Sequence, residues 1–207
     1  MIVYPSATQP KDIYKLIIGS ITPRPIALVS STSKDGTNNL APFSFFTGVS
    51  ANPPVIGFSP LITGKDRLRD SRKNIEDTKE FVVNIVSESL AGRMNIASSD
   101  VPPEIDEFTL SGLTPVASEI VACPLVKESP VNMECRLLEV IEVSNKLLGG
   151  AFIIGEIVCF HVDNDMVDNF KIDPEKLDTI GRMGGSLYTR TRDRFALKRP
   201  DLKKTDV

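Results

Sequence analysis

The chain has no tryptophan and only one histidine, His161, among 207 residues. A single imidazole cannot supply a centre of several histidines, so a His-based metal cluster is excluded. Cysteine is nearly as scarce. Cys123, Cys135 and Cys159 stand far apart, are odd in number and form no C-x-x-C pair. They suggest neither a disulfide framework nor a zinc site. Each lies in or beside an apolar stretch and reads as a buried, inert thiol, which fits a reducing cytoplasm. No run of 18 apolar residues occurs, so no membrane helix is expected. The opening MIVYPSATQPKD lacks the charged start and apolar core of a signal peptide. A surplus of positive charge is missing too, and a net charge of -3 argues against a general nucleic-acid binder. Internal repeats and low-complexity tracts are lacking, and residues 1–207 read as one domain long enough to bury a real core.

Nucleotide fingerprints are also missing. No G-x-G-x-x-G occurs, and Gly64-Lys65 cannot be drawn into G-x-x-x-x-G-K-[ST]. A Rossmann or P-loop site is therefore not expected. What is present is one unusual stretch, Asn38 to Asp66, NNLAPFSFFTGVSANPPVIGFSPLITGKD. It opens on a phenylalanine-rich run (Phe43, Phe45, Phe46), which either packs as core or covers a flat aromatic ligand. Thr63-Gly64-Lys65-Asp66 follows as a capping box, with Thr63 as N-cap and an acid three residues on. Such a helix start is either a plain cap with Lys65 in solvent or an anion site built from unpaired amides and a lysine.

In chain order, Pro10 to Ile18 reads as a short helix that Gly19 can end. Thr22-Pro23-Arg24-Pro25 is stiff and aims Arg24, either into solvent or at a ligand. Strands are expected over Ile26 to Ser31, Leu40 to Phe46, Val55 to Ser59 and Phe81 to Val86. Lys34-Asp35-Gly36 is a hairpin signal between the first two, and Pro42 marks an edge or a bulge. Helices are expected from Thr63 towards Ile75 and over Ser87 to Ile96. Ser98 to Ser118 is a long connection, of the kind that is often functional or an interface. Val131 to Val143 and Ala151 to Val162 read as a hairpin of two long strands, and Asp163 to Pro174 as a surface turn. The end, GRMGGSLYTRTRDRFALKRP, carries five arginines or lysines from Arg190 to Arg199. The class is mainly β, a β-rich α+β chain without β-α alternation, hence a barrel or a sandwich.

The pieces TPRPIALVSS, NNLAPFSFFTGVSANPPVIGFS, GKD and EFVVNI, followed by DEFTLSGLTPVAS, KESPVNMECRL, IIGEIVCFHVD and GRMGGSLY, resemble the flavin-reductase-like, FMN-binding split-barrel family in the same order. Its relatives include flavoredoxins and the reductase components of two-component monooxygenases. The resemblance implies a six-stranded Greek-key split β-barrel with short inserted helices, a homodimer, and FMN near the subunit interface. By position it implies Ser30, Ser31 and Thr32 along the isoalloxazine, Ser44, Phe45 and Phe46 in contact with it, and Ser59, Lys65 and Asp66 at the phosphate. One departure is Arg67, where the family has a small hydroxyl. It either adds a guanidinium contact or marks a remodelled loop. Arg24 and Arg182 are further candidate contacts. His161 is either structural or placed by the nicotinamide as a catalytic group.

The implied activity is hydride transfer from NADH or NADPH to FMN, with electrons passed to a monooxygenase or other redox partner, in the cytoplasm. Two rivals stand beside it. One is a flavoredoxin-type FMN carrier with no NAD(P)H activity of its own. The other is a non-catalytic split barrel for another ligand, such as a haem or pyridoxal phosphate.

Overall fold

The computed structural model describes residues 1–63 and 70–200. Helix α1 spans Pro10–Ser20, with Pro10 in its first turn. It runs through Gly19 rather than stopping there. The reason lies at Arg24, whose Nη1 donates to the carbonyls of Ile18 and Ile21 at 2.7 Å each. Carbonyls at a helix C-terminus lack intrahelical partners, and a cation there satisfies both their lone pairs and the dipole.

One seven-stranded antiparallel sheet forms the body. Its strands are β1 (Ala27–Thr32), β2 (Asn38–Phe43), β3 (Phe46–Ala51), β4 (Pro54–Phe58), β5 (Glu80–Ile85), and the two long ones later in the chain, Val131–Glu142 and Ala151–Val162. Helices α2 (Asp70–Thr78, its described part), α3 (Ala91–Ala97) and α4 (Glu107–Ser111) and the short strands β6 (Pro115–Val116) and β7 (Leu125–Val126) come between, which makes the long strands β8 and β9. The lateral order is β2-β1-β5-β8-β9-β4-β3. Each neighbouring pair is antiparallel, so β2 and β3 point the same way. Only Ser44 and Phe45 separate them in the chain. The two ends of the sheet are therefore two halves of one bent strand. Seven segments close into a barrel of six strands, the number expected.

The expected strand Leu40 to Phe46 thus breaks at Ser44-Phe45. Ladder pairing runs out at Ala27↔Phe43 on one side and resumes at Phe46↔Phe58 on the other. Pro42 lies on β2 and pairs only with Leu28 of β1, where its missing N–H costs nothing. The phenylalanines divide. Phe43, Phe58 and Phe81 fill the barrel, with centroid distances of 5.0 and 5.6 Å, and Phe46 packs against that core. Phe45 stays outside it.

A second apolar cluster joins β1 and β2 to α3 and α4 through Leu28, Leu40, Leu90, Met94 and Phe108. The expected helix over Ser87 to Ile96 begins as a 3-10 turn, Glu88–Leu90, before α3. The long connection holds α4, which was not anticipated. Asp106 caps it by accepting from the amides of Phe108 and Thr109, and Gly112 ends it at φ 68°. The expected surface turn at 163–174 contains a small hairpin, β10 (Val167–Asp168) with β11 (Lys171–Ile172). After α5 (Pro174–Leu177), strands β12 (Ile180–Arg182) and β13 (Tyr188–Arg190) pair with each other. No helix among the described residues is long and apolar enough to cross a membrane.

Two glycines make room for aromatic rings. A Cβ on Gly155 would lie 2.4 Å from Cζ of the fully buried Phe81, and one on Gly57 would lie 2.2 Å from Cζ of the half-buried Phe152. Phe81 cannot retreat, whereas Phe152 can turn outward. Gly155→Ala is therefore expected to cost about 1–3 kcal/mol in chemical denaturation and Gly57→Ala distinctly less. Equal losses would show that Phe152 is as fixed as Phe81.

Candidate functional site

Where the barrel closes, the bend at Ser44-Phe45 opens a cleft of about 340 Å³. That is within the range of small-molecule sites. Ala41, Pro42, Phe45, Met94, Ala97 and Val101 supply apolar lining, and Ser44, Ser59, Ser98 and Ser99 supply hydroxyls. Backbone polarity is available as well. The amides of Ser44 and Phe45 stand outside both ladders, and the Phe45 carbonyl accepts from Ser59 N at 2.8 Å.

The floor is a buried polar network. Asn39 Nδ2 donates to both oxygens of Glu107, at 3.0 and 3.1 Å, and Leu40 N donates to Glu107 Oε2 at 3.0 Å. Ser71 Oγ donates to Asn39 Oδ1 at 2.5 Å, and Ser31 Oγ reaches the same oxygen at 3.3 Å. Burial pushes the Glu107 carboxyl above the ordinary carboxylate range, against the pull of the Leu40 amide and Asn39. The network ties β1, β2, α2 and α4 together beneath the cleft, and each buried polar group has a partner in it.

Arg24 forms one support of the bend. Besides its two bonds to α1, its Nη2 donates to Met183 O at 2.9 Å and its Nε to Ser44 Oγ at 3.3 Å. Its guanidinium lies 6.0 Å from the Phe45 centroid. The residue is 4% exposed and no carboxylate pairs with it among the described residues, so burial pulls its pKa down. The stiff prolines do aim Arg24, but its bonds go to backbone carbonyls and to Ser44. Arg182 differs. It lines the cleft, stacks 4.4 Å from the Tyr188 centroid and donates to Gly185 O at 2.7 Å. It is the one cation among the described lining residues.

Of the residues expected at a cofactor, the structure brings Ser44, Phe45, Ser59 and Arg182 to this cleft. Ser30, Ser31 and Thr32 do not line it. Ser30 Oγ donates to Pro124 O and accepts from Asn84, Ser31 accepts from Asn74 and bonds Asn39, and Thr32 bonds Asn38. Phe46 turns to the core. Lys65, Asp66 and Arg67 lie outside the described residues, as does most of the expected capping box. The residues on either side, Thr63 and Asp70, both line the cleft. Tyr14, Glu107, Tyr188 and the stretch from Ser98 to Val101 were not named from the sequence. The length of the connection after Ser98 pointed towards Glu107 and the stretch from Ser98 to Val101, Tyr188 lies inside the piece GRMGGSLY, and nothing in the sequence singled out Tyr14.

His161 is elsewhere. It lies eight residues along β9 from Ile153, the partner of Phe58, which is roughly 25 Å of strand. Its Nε2 is 2.6 Å from Glu134 Oε1 and 3.6 Å from Cys159 Sγ. Glu134 is fully buried and accepts from the amides of Glu119, Ile120 and Val121 at 2.9, 2.7 and 2.9 Å. Burial pushes its carboxyl up, but the imidazole and the three amides outweigh this and hold it below the ordinary value. Cys159 is therefore not the buried, isolated thiol expected. Cys123 and Cys135 are buried; burial pushes Cys123 up to about 12 and Cys135 higher still.

Comparison with known proteins gives this geometry a context. A family model described as Flavin reductase like domain matches residues 19–187. The solved structure of nitrilotriacetate monooxygenase component B from Bacillus cereus is 36% identical and superposes with a TM-score of 0.91, covering 95% of this chain and 98% of that one. That of 2-nitrobenzoate 2-nitroreductase from Pseudomonas fluorescens is 31% identical, with a TM-score of 0.88 and 98% of each chain covered. An uncharacterized protein of Aquifex aeolicus is 41% identical over 192 residues, 92% of this chain and 96% of its own. With the family model matched over most of its length and relatives alike from end to end, this split barrel belongs to the flavin-reductase-like family.

Proposed function

We propose that the cleft at the barrel closure binds FMN and that the protein is an NAD(P)H-dependent flavin oxidoreductase. The observation that carries this reading is the bend itself. In a chain of this family it sets an apolar wall, with Phe45 on it, beside amides released from both ladders. A flat ring with polar edges needs that combination. The donor set fits: Ser44 and Ser59 hydroxyls, the Ser44 and Phe45 amides, and Arg182 near the rim. For the phosphate the family likeness suggests Ser59, Lys65 and Asp66, with Arg67 as a further candidate, and of these Ser59 lines the cleft. FMN rather than FAD is what the resemblance of the sequence to the FMN-binding split-barrel family implies.

A flavin held there would supply the hydride-accepting and electron-transferring chemistry. The chain's own residues bind and orient. Glu107 and Asn39 keep β2 in register below the site, Arg24 holds Ser44, and Phe45 with Met94 and Ala97 excludes water from one side. No side-chain acid or base is required of them. A redox partner such as a monooxygenase would collect the electrons. Dimerisation is part of the proposal. An apolar groove lined by Ile85, Val131, Met133, Phe160 and Ile180 lies open, and Phe160 is 54% exposed. Covering such a face favours a second copy.

Three outcomes are expected. Titration of flavin-free protein with FMN should quench flavin fluorescence, FAD should bind more weakly, and NADH or NADPH added without oxygen should bleach the bound chromophore. Absence of any flavin binding would overturn the assignment, and binding without bleaching would leave an electron carrier. His161→Ala should spare NAD(P)H oxidation, because His161 lies away from the cleft; a drop of roughly a hundredfold, the size of a lost general acid, would place it in the reaction. Sedimentation should give twice the chain mass, and a monomer at micromolar concentration would refute the dimer.

A further inference from the structure

Strands β8 and β9 carry a second cluster of chemistry-bearing side chains that the flavin reading leaves unused. In their ladder Asn132 stands opposite His161 and Glu134 opposite Cys159. The next pair is Cys135↔Ile157, so Val158 is an extra residue on β9. This bulge decides where Cys159 goes. Ile157 packs inside the barrel with Cys135, while Val158 packs on the outer cluster with Val82, Val121 and Cys123. In a regular strand residues two apart share a face, and Cys159 would follow Ile157 inward. The bulge turns it outward instead, onto Glu134 and His161.

We propose that Glu134, Cys159 and His161 bind one divalent cation of the zinc type. A carboxylate oxygen, the Cys159 sulfur and the His161 ring nitrogen all lie within 4.8 Å of one another. The donor set is the borderline-soft mixture of oxygen, nitrogen and sulfur that zinc accepts. A nucleophilic triad is the competing use, and the geometry argues against it. A triad needs the two ring nitrogens to face different partners, the base on one side and the orienting acid on the other. Here the same atom, Nε2, faces both the carboxylate and the sulfur.

The surroundings suit a cation. Glu134 is fixed by three backbone amides, and its Oε1 stands 2.6 Å from Nε2, the separation of a ring N–H donating to a carboxylate oxygen. On binding, the ring proton moves to Nδ1, the Cys159 thiol proton is released to water, and the ion takes the place of both hydrogens. Ligands at about 2.0–2.1 Å with tetrahedral angles stand roughly 3.3 Å apart, so the oxygen–nitrogen gap must open by about 0.7 Å. His161 has 27% of its side chain exposed and can turn that far. Asn132 supplies an independent sign. Its Oδ1 is buried with no hydrogen-bond partner among the described residues, and the residue is only 7% exposed. It lies beside His161 in the ladder and offers the acceptor that an Nδ1–H requires once Nε2 is on a metal. Three protein ligands leave a fourth position for water.

The test uses the full chain, dialysed against chelator and titrated with zinc chloride, and separately with cobalt(II). One ion should bind per chain with release of protons, because a thiol gives up its hydrogen on binding a metal. Cobalt should show a near-ultraviolet thiolate charge-transfer band. Cys159→Ser should abolish that band and weaken zinc binding by about a hundredfold or more, and His161→Gln should weaken it similarly. Metal-free Cys159→Ser should keep the wild-type circular dichroism, which separates a lost ligand from a lost fold. Failure of the wild type to bind zinc overturns the proposal, as does unchanged affinity in both variants.

Discussion

Everything in this molecule depends on one strand that serves both ends of its sheet. Because β2 and β3 are joined by only Ser44 and Phe45, the sheet has to close on itself, and closure removes the exposed edges that an open sheet would leave. The same bend interrupts the ladder, and its amides need partners from elsewhere. A barrel that gains stability by closing thus creates, at its seam, a place suited to a polar-edged ligand. The phenylalanines on either side follow the division: Phe43 and Phe46 turn to the core and Phe45 to the cleft.

Holding such a seam open requires buried polar groups, and each is satisfied locally. Arg24 spends its guanidinium on three carbonyls and one hydroxyl, and so ties α1, the bend and the residue after β12 to one point. Glu107 does the same for β2 from the other side. These are structural uses of charged residues next to a binding cleft. They explain why a residue can be aimed by the sequence at a site and yet act by supporting its wall. The far end of β8 and β9 shows a similar device, in which a bulge and a buried carboxylate gather side chains from two strands onto one face.

Much was legible from residues alone. Local signals dominate where neighbours in the chain are also neighbours in space: the Lys34-Asp35-Gly36 turn and the long β8–β9 hairpin. Ser44, Phe45, Ser59 and Arg182 were reached through the family likeness, and the structure brings them together. Ser30, Ser31 and Thr32 could not be placed in this way. A strand's hydroxyl can face a ligand or a neighbouring strand, and only the partners Pro124, Asn74 and Asn38 decide which. Helix α4 carried its own cap signals in Asp106 and Gly112, but it is short enough to hide within a polar connection.

The sequence by itself determined the class, the strand-rich order and the family, because periodicity, turn residues and motif order are properties of consecutive residues. Tertiary structure alone decided the closure at Ser44-Phe45, the Asn39–Glu107 floor, the anchoring of Arg24, and the meeting of Glu134 with Cys159 and His161. Apart from the bonds of Arg24 to Ile18 and Ile21, these join residues from 20 to 159 positions apart in the chain. Such contacts follow from sheet register, where one inserted residue such as Val158 changes the face on which a side chain falls.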